Sequence, residues 1–544
     1  MTTKSRSDWR LLQPIAFLCA MFATACGGSG EPSSTNPPLP PVSPDWDINV
    51  QTNSTVGPIS RSLIGYYDLS GVLFDYQNVP GLVAQMEKVG FGTAGADWRI
   101  GLGRWENATQ ILSTLTDGTA CNNFLPENQS AFGTDLELIE SRDWFTFTDG
   151  SPVTESDIGD TRYALDYVRS VIDTSTAFGA TPYLSIDLMP RALSINQTPN
   201  RQVCEVTFTN SVSNNQPADA AVFAKATAGL VQRVVEGSGT GIGGDRPRSV
   251  QYWEVWNEPE LDTFWEPTLA ADPDAFFDMA IATLLELDAY RNATADVNGQ
   301  SIRIGLGSFI NESSAIATIQ SFDGVGIPLD FISFHAYNDD PLVIVDAIER
   351  TEAAIQNSIN YQGIELVLAE WGPDLATRAA DQQYASSMDP ALHAATVLAL
   401  GASAGLDRSH NAIIYDFYPA IALGLIDNQG VARPLYRAYE LMAKLVEGNA
   451  EQLSVAGITD GRLDAGMGAI LSARDALSGT VRVLLVNRNT SSRTVRVALD
   501  GVTSTPLQVY VFDASADPAD GLATMPLPAS LFEIPARSVA VAEF

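Results

Sequence analysis

Between residues 60 and 445 the chain alternates, eight times over, a short β-rich run with a longer amphipathic stretch, and this alternation restricts its fold more than any other feature. A strand followed by a helix and a further strand forms a crossover unit, and a series of such units builds a parallel sheet covered by helices. The β-rich runs are 62–67, 92–99, 181–188, 249–258, 302–309, 330–337, 365–371 and 411–418. The helical stretches between and after them are 79–89, 161–178, 218–235, 272–292, 313–322, 342–360, 390–404 and 434–445. Eight pairs in order predict an α/β chain whose residues 61–446 close into a (β/α)8 TIM barrel.

Beyond residue 446 the pattern changes. Runs at 469–472, 481–487, 494–499, 507–512 and 538–544 are separated by Gly, Asp and Ser turns without a helix, which predicts a C-terminal β-sandwich domain over 447–544. Residues 46–60 are expected to add a strand to it ahead of the barrel. Two insertions, 101–160 and 189–217, follow strands and so belong to the face where a barrel carries its site. Cys121 lies in the first and Cys204 in the second, so neighbouring loops could join them in a disulfide; two free thiols are the alternative.

The N-terminus reads as an export signal. Lys4, Arg6 and Arg10 precede an apolar stretch from Leu11 to Ala25, and Ala23-Thr24-Ala25 stand immediately before Cys26. A lipoprotein-type signal over 1–26 with Cys26 as the lipidated residue, then a flexible Gly/Ser/Pro tether over 27–45, is the expectation. It implies an outer-membrane lipoprotein, periplasmic or at the cell surface, held to the membrane through its lipid alone; free secretion after ordinary cleavage is the alternative. Against 31 basic residues stand 65 acidic ones, and a net charge of −34 disfavours nucleic acid as a partner. The charge pattern says nothing of oligomeric state.

Two segments carry chemistry. Tyr252-Trp253-Glu254-Val255-Trp256-Asn257-Glu258-Pro259 is an aromatic strand that proline ends, which places Glu258 at the C-terminal tip of the fourth barrel strand. A carboxyl among aromatic side chains is desolvated, a condition that favours the protonated acid and suits proton donation. Glu254 and Glu260 are expected to face away or to lie in the loop. Leu366-Val367-Leu368-Ala369-Glu370-Trp371-Gly372 closes the seventh strand on a second glutamate. Strands four and seven face each other across a barrel mouth, and two carboxyl groups about 5 to 5.5 Å apart are what a retaining glycosidase needs.

With Phe334-His335-Ala336-Tyr337 at the end of strand six, these motifs resemble clan A glycoside hydrolases, most closely family 39, the β-xylosidase and α-L-iduronidase family. Glu260-Leu261-Asp262-Thr263-Phe264-Trp265, Pro182 to Pro190 and Pro434-Leu435-Tyr436-Arg437-Ala438-Tyr439 extend the resemblance, which covers about residues 60–544. It implies Glu258 as acid/base and Glu370 as nucleophile. It also implies Asn257 as donor to a substrate 2-hydroxyl, His335 and Tyr337 lining the sugar site, and Arg99 beside the nucleophile. Trp265 and Trp371 are candidates for stacking on a sugar face. Ala369, where family members commonly carry Thr, and the absence of a histidine in 101–105 depart from the pattern and leave the sugar open. No metal or cofactor is expected, because none of the three histidines is spaced as a ligand pair; His393 and His410 read as structural. A carbohydrate is the expected partner. Other clan A activities, such as β-glucosidase, β-galactosidase or an endo-acting exopolysaccharide hydrolase, and a glycan-binding lipoprotein without catalysis are the alternatives.

Overall fold

The computed structural model describes residues 43–67, 81–92, 95–102, 144–145, 152–159, 162–197, 202–203, 206–207, 212–237, 247–262, 264–293, 301–416, 422–525 and 530–544; Cys26, Cys121 and Cys204 fall outside them. The first strand, β1 (Trp46–Pro58), precedes a closed parallel barrel. Its strands are β2 (Gly65–Tyr67), β3 (Asp97–Gly101), β4 (Thr181–Ile186), β5 (Tyr252–Val255), β6 (Arg303–Phe309), β7 (Phe331–Tyr337), β8 (Glu365–Gly372) and β9 (Arg408–Ala412). Closure runs through β9 and β2, where His410 pairs with Gly65 and Ala412 with Tyr67.

Strand parity divides the side chains into two layers. Trp253, Val255, Ile304, Leu306, Ile332, Phe334, Leu366 and Leu368 join the large core between barrel and helices. Tyr183, Tyr252, Phe331, Val367 and Ala369, of the opposite parity, form a separate cluster inside the barrel. Phe331 fits there because β6 carries Gly305 beside it: a Cβ at that position would meet the phenyl ring at 2.3 Å. The helices include Ala220–Val235, opened by the Asp219 side chain accepting from the amides of Ala221 and Val222, and Pro341–Asn357, opened by Asp340.

The eighth barrel strand lies earlier than the apolar run 411–418 predicts. Its leading residues are polar because they are paired inside the protein. Arg408 binds Asp97 on β3 at 2.6 Å and Glu365 on β8 at 2.7 Å, while His410 is buried beside Tyr183.

The remaining strands are β10 (Ala450–Val455), β11 (Gly468–Asp475), β12 (Val481–Asn487), β13 (Arg493–Leu499), β14 (Gln508–Asp513), β15 (Leu531–Ile534) and β16 (Ser538–Glu543). With β1 and some shorter strands they make one hydrogen-bonded mixed sheet, in which β1 runs antiparallel to β10 and parallel to β13. One face, with Ile470, Val483, Leu485, Val511 and Ala540, surrounds a core of its own with Trp46, Ile48 and Val50 from β1. The other face, with Ala469, Leu471, Leu484, Val486 and Val541, joins the barrel's helical core. Burial on both faces accounts for the nearly unbroken apolar runs of β11, β12 and β16.

Candidate active site

Arg99 on β3 is the hub of the barrel mouth. Fully buried, it donates through Nη1 to Glu370 Oε1 at 2.8 Å, and through Nε and Nη2 to Glu254 Oε2 at 2.8 and 2.7 Å. Nη2 also reaches Asn257 Oδ1 at 3.1 Å and Ser308 Oγ at 2.5 Å. A guanidinium fork with this set of acceptors has a fixed orientation.

Glu254 corrects the sequence expectation. It neither faces away nor lies in a loop but points into the barrel, where its Oε1 also accepts from Tyr183 Oη at 2.9 Å and Ser333 Oγ at 2.5 Å. Burial by itself would push its pKa up; the Arg99 charge and the hydroxyls of Ser333 and Ser308 outweigh that and hold it below the ordinary glutamate value. Tyr183, driven well above its usual range by burial and the Glu254 charge, stays a phenol and a donor. The signal was present in the strand: Glu254 shares parity with Tyr252, an interior residue.

Glu258 reaches the pocket through strained backbone. Trp256 has φ 72° and Glu258 φ 39°, both in the left-handed region that non-glycine residues avoid. The Glu258 amide is fixed by Ser308 O at 2.9 Å, and Ser308 itself has φ 45°. On β8 an irregularity does comparable work: pairing with β7 slips between Phe334 and His335, so that His335 stands opposite Glu370. Val367 and Ala369 already face inward, and this slip lets Glu370, one residue on, turn inward as well.

The two glutamates meet at His335, which is 1% exposed. Its Nδ1 lies 2.8 Å from Glu258 Oε1 and its Nε2 3.7 Å from Glu370 Oε1. Tyr337 Oη donates to Glu370 Oε2 at 3.3 Å. Asn257 is held through Oδ1 by Arg99, which leaves its buried Nδ2 without a hydrogen-bond partner among the described residues. One ligand atom each from Glu258, His335 and Glu370 fall within 4.8 Å of one another, a set that could accept a divalent cation; Arg99 already binds the Glu370 oxygen that faces His335.

The structure thus brings together Glu258, Glu370, Asn257, His335, Tyr337 and Arg99. The two tryptophans differ from expectation. Trp265 is fully buried, packed edge-on against Trp256 and Phe276, and fills the helical core where a sugar cannot reach it. Trp371 is equally buried and stacks on His393, ring centroids 6.2 Å apart. Both expectations fail because a tryptophan at a strand end serves the helix layer as readily as the pocket.

No family model matches the sequence. A curated β-xylosidase from Geobacillus stearothermophilus is 21% identical over 215 residues, which span 37% of this chain and 38% of that enzyme. A family 39 β-xylosidase from Caulobacter crescentus has a similar structure, with TM-score 0.59 and 16% identity over 91% of this chain and 99% of that one. A family 51 α-L-arabinofuranosidase from Thermotoga petrophila follows, at TM-score 0.58 and 14% identity over 92% of this chain and 100% of its own. A family 30 xylanase C from Talaromyces cellulolyticus gives 0.57 and 15% over 91% and 99%. These structures share the barrel-plus-sheet architecture. The sequence relative and these three fold neighbours are glycoside hydrolases, in agreement with the likeness read from the motifs; the neighbours score alike across families 39, 51 and 30, so they support the barrel-plus-sheet fold rather than one family.

Proposed function

We propose that the chain is a retaining glycoside hydrolase, β-xylosidase-like, that cleaves oligo- or polysaccharides with Glu370 as nucleophile and Glu258 as acid/base. The carrying observation is that both carboxylates approach His335, with one oxygen of each and one ring nitrogen all within 4.8 Å of one another. Inverting enzymes hold the pair about 6.5 to 9.5 Å apart to leave room for a water.

In the first step Glu370 attacks the anomeric carbon while the Glu258 proton passes to the leaving oxygen, forming a glycosyl ester on Glu370 and releasing the aglycone alcohol. In the second, Glu258, now a carboxylate, takes a proton from water as its oxygen attacks the same carbon, and Glu370 leaves as carboxylate. Two displacements return the starting anomeric configuration. Arg99 and Tyr337 orient Glu370 and stabilise its charge, and the open Asn257 Nδ2 suits a sugar 2-hydroxyl. The basic, apolar and small-residue pattern before Cys26 reads as an export signal with Cys26 carrying the tether, and export would let the protein meet a polymeric or oligomeric substrate outside the cytoplasm.

Hydrolysis of an aryl-glycoside panel by the protein and by Glu370→Ala tests the reading. Undiminished turnover by the variant would refute the nucleophile. Rescue by azide, yielding a glycosyl azide of inverted configuration, is the expected result.

A further inference from the structure

A second cavity opens on the catalytic side of the barrel, where the segments after β7 and β8 approach the β-domain. It holds about 630 Å³, within the range of small-molecule sites. Its barrel wall carries Asp339, Arg378 and Tyr384, its floor His393, and its β-domain wall Arg488 and Arg537. We propose that this cleft is a saccharide-binding site that holds a neutral, hydroxyl-rich stretch of the substrate beside the catalytic pocket.

The charge pattern selects the ligand class. Three arginines line the cleft together with three aspartates, so no net charge favours an ionised ligand. The groups are held in place by one another: Arg378 binds Asp339 at 2.9 Å and Asp381 at 3.2 Å, and Arg537 pairs with Asp389. Such pairs present donors and acceptors side by side in fixed positions, which matches hydroxyls that both donate and accept. Arg488 keeps donor capacity in reserve, since Gly466 O lies at 3.2 Å and its nearest carboxylate, Asp340, at 3.9 Å. Apolar surface comes from Tyr384, whose ring is braced by the Arg378 guanidinium at 4.5 Å, and from Met467, which is 43% exposed.

Position ties the cleft to the reaction. His393 on its floor stacks on Trp371, the residue after Glu370, and its Nε2 lies 2.8 Å from the carbonyl of Asn338, the residue after Tyr337. Arg488, Arg537 and Met467 come from the β-domain, so this domain would take part in substrate binding as well as in packing.

The inference rests on the glycosidase reading, and two measurements keep them separable. Inactive Glu370→Gln protein is titrated calorimetrically with xylohexaose, cellohexaose and hexagalacturonate, alone and combined with Arg488→Ala or Tyr384→Ala. Loss of one or two hydrogen bonds at Arg488, or of the apolar Tyr384 face, predicts about tenfold weaker binding of the better neutral hexasaccharide in each combined variant. In otherwise wild-type protein the same two substitutions should leave aryl-glycoside hydrolysis within about twofold of the parent, because neither touches the catalytic groups. Equal affinity in parent and variants, binding of neither neutral hexasaccharide, or binding of hexagalacturonate alone would overturn the cleft. A wild-type protein that hydrolyses no glycoside would overturn the catalytic reading and leave the calorimetry interpretable.

Discussion

Glu254→Gln separates the carboxylate that organises the site from the two that are proposed to react. In the parent, Glu254 Oε2 accepts both Arg99 contacts while Oε1 accepts from Tyr183 and Ser333. The glutamine amide has the same shape, and it can keep its one oxygen toward Arg99. Its NH2 group then meets two hydroxyls, which can rotate from donating to accepting, so the geometry survives. What disappears is the charge on one of the two carboxylates that Arg99 bridges. Hydrogen bonds to charged groups contribute about 1.5 to 3 kcal/mol and neutral ones about 0.5 to 1.5; the Arg99 contacts keep one charged partner, but the Tyr183 and Ser333 contacts become neutral, so the network that anchors Arg99 loses about 2 to 3 kcal/mol. If half to all of about 3 kcal/mol is expressed in the transition state, kcat/KM falls about 10- to 150-fold. The assay is kcat/KM on aryl glycosides spanning good and poor leaving groups, with urea denaturation as a control for folding. Because Arg99 would orient Glu370 whatever group departs, the loss should be the same across the series. A kcat/KM within about twofold of the parent would show that Arg99 needs no Glu254 charge. A loss concentrated on poor leaving groups would mean that Glu254 takes part in proton transfer, and would refute the assignment of that task to Glu258.

Glu258→Ala should show the pattern that Glu254→Gln lacks, slowing poor leaving groups by about 100-fold or more and activated ones far less, read from the slope of log kcat/KM against leaving-group pKa. Tyr337→Phe removes one long hydrogen bond to Glu370, of 3.3 Å, and should lower kcat by about three- to tenfold with the fold unchanged by circular dichroism. Asp407 gives a pH prediction. Burial raises its pKa to about 6, from an unfolded value near 3.8, so the folded state binds the extra proton between those values. Its stabilising contribution is complete below pH 3.8 and is lost as pH rises through 6. Asp407→Asn keeps an acceptor for the Leu366 amide, now at 2.8 Å from the carboxylate, and should match the parent at pH 4 yet exceed it at pH 7.5 by up to about 3 kcal/mol in urea titrations. Equal stability at both pH values would refute the shift.

The alternation of strand and helix made the barrel legible, because buried parallel strands and amphipathic helices carry different periods. Glu258 and Glu370 were legible for another reason: each follows an apolar, aromatic run whose strand has no need of a carboxyl for packing. Interior polar groups on the barrel strands were harder to read. Glu254 and Arg408 are charged residues within strands, and no sequence rule states that a charge there has a buried partner on a neighbouring strand. Arg99, Asp97 and Glu365 supply those partners from positions far apart along the chain. Trp265 shows the converse: an aromatic beside a motif reads as a site residue, yet it fills the space beside Phe276. The cleft below Arg488 carried no sequence signal, since its walls come from the segments after β7 and β8 on one side and from the β-domain on the other.

The strained turn at Trp256 explains how one short strand can carry two carboxylates of different duty. Tyr252, Glu254, Trp256 and Glu258 have the same parity, so an ideal strand would send all four into the barrel. Two aromatic rings and two carboxyls stacked there would crowd the mouth. Left-handed backbone at Trp256 instead turns its ring out to the helix layer, where it meets Trp265 and Phe223, and the chain then re-enters at Glu258 through a second positive φ. Each such residue costs about 1 to 3 kcal/mol, and only a site whose neighbours over-determine it can hold two in succession. The hydrogen bonds from the Trp256 amide to Ile186 O at 3.0 Å and from the Glu258 amide to Ser308 O at 2.9 Å are those constraints. Glu254 remains deep in the barrel, ionised and gripped by Arg99, while Glu258 is lifted to His335 at the barrel mouth, where its side chain is partly open. The backbone strain therefore separates, over four residues, a carboxylate that Arg99 holds ionised from the one proposed to give and take a proton.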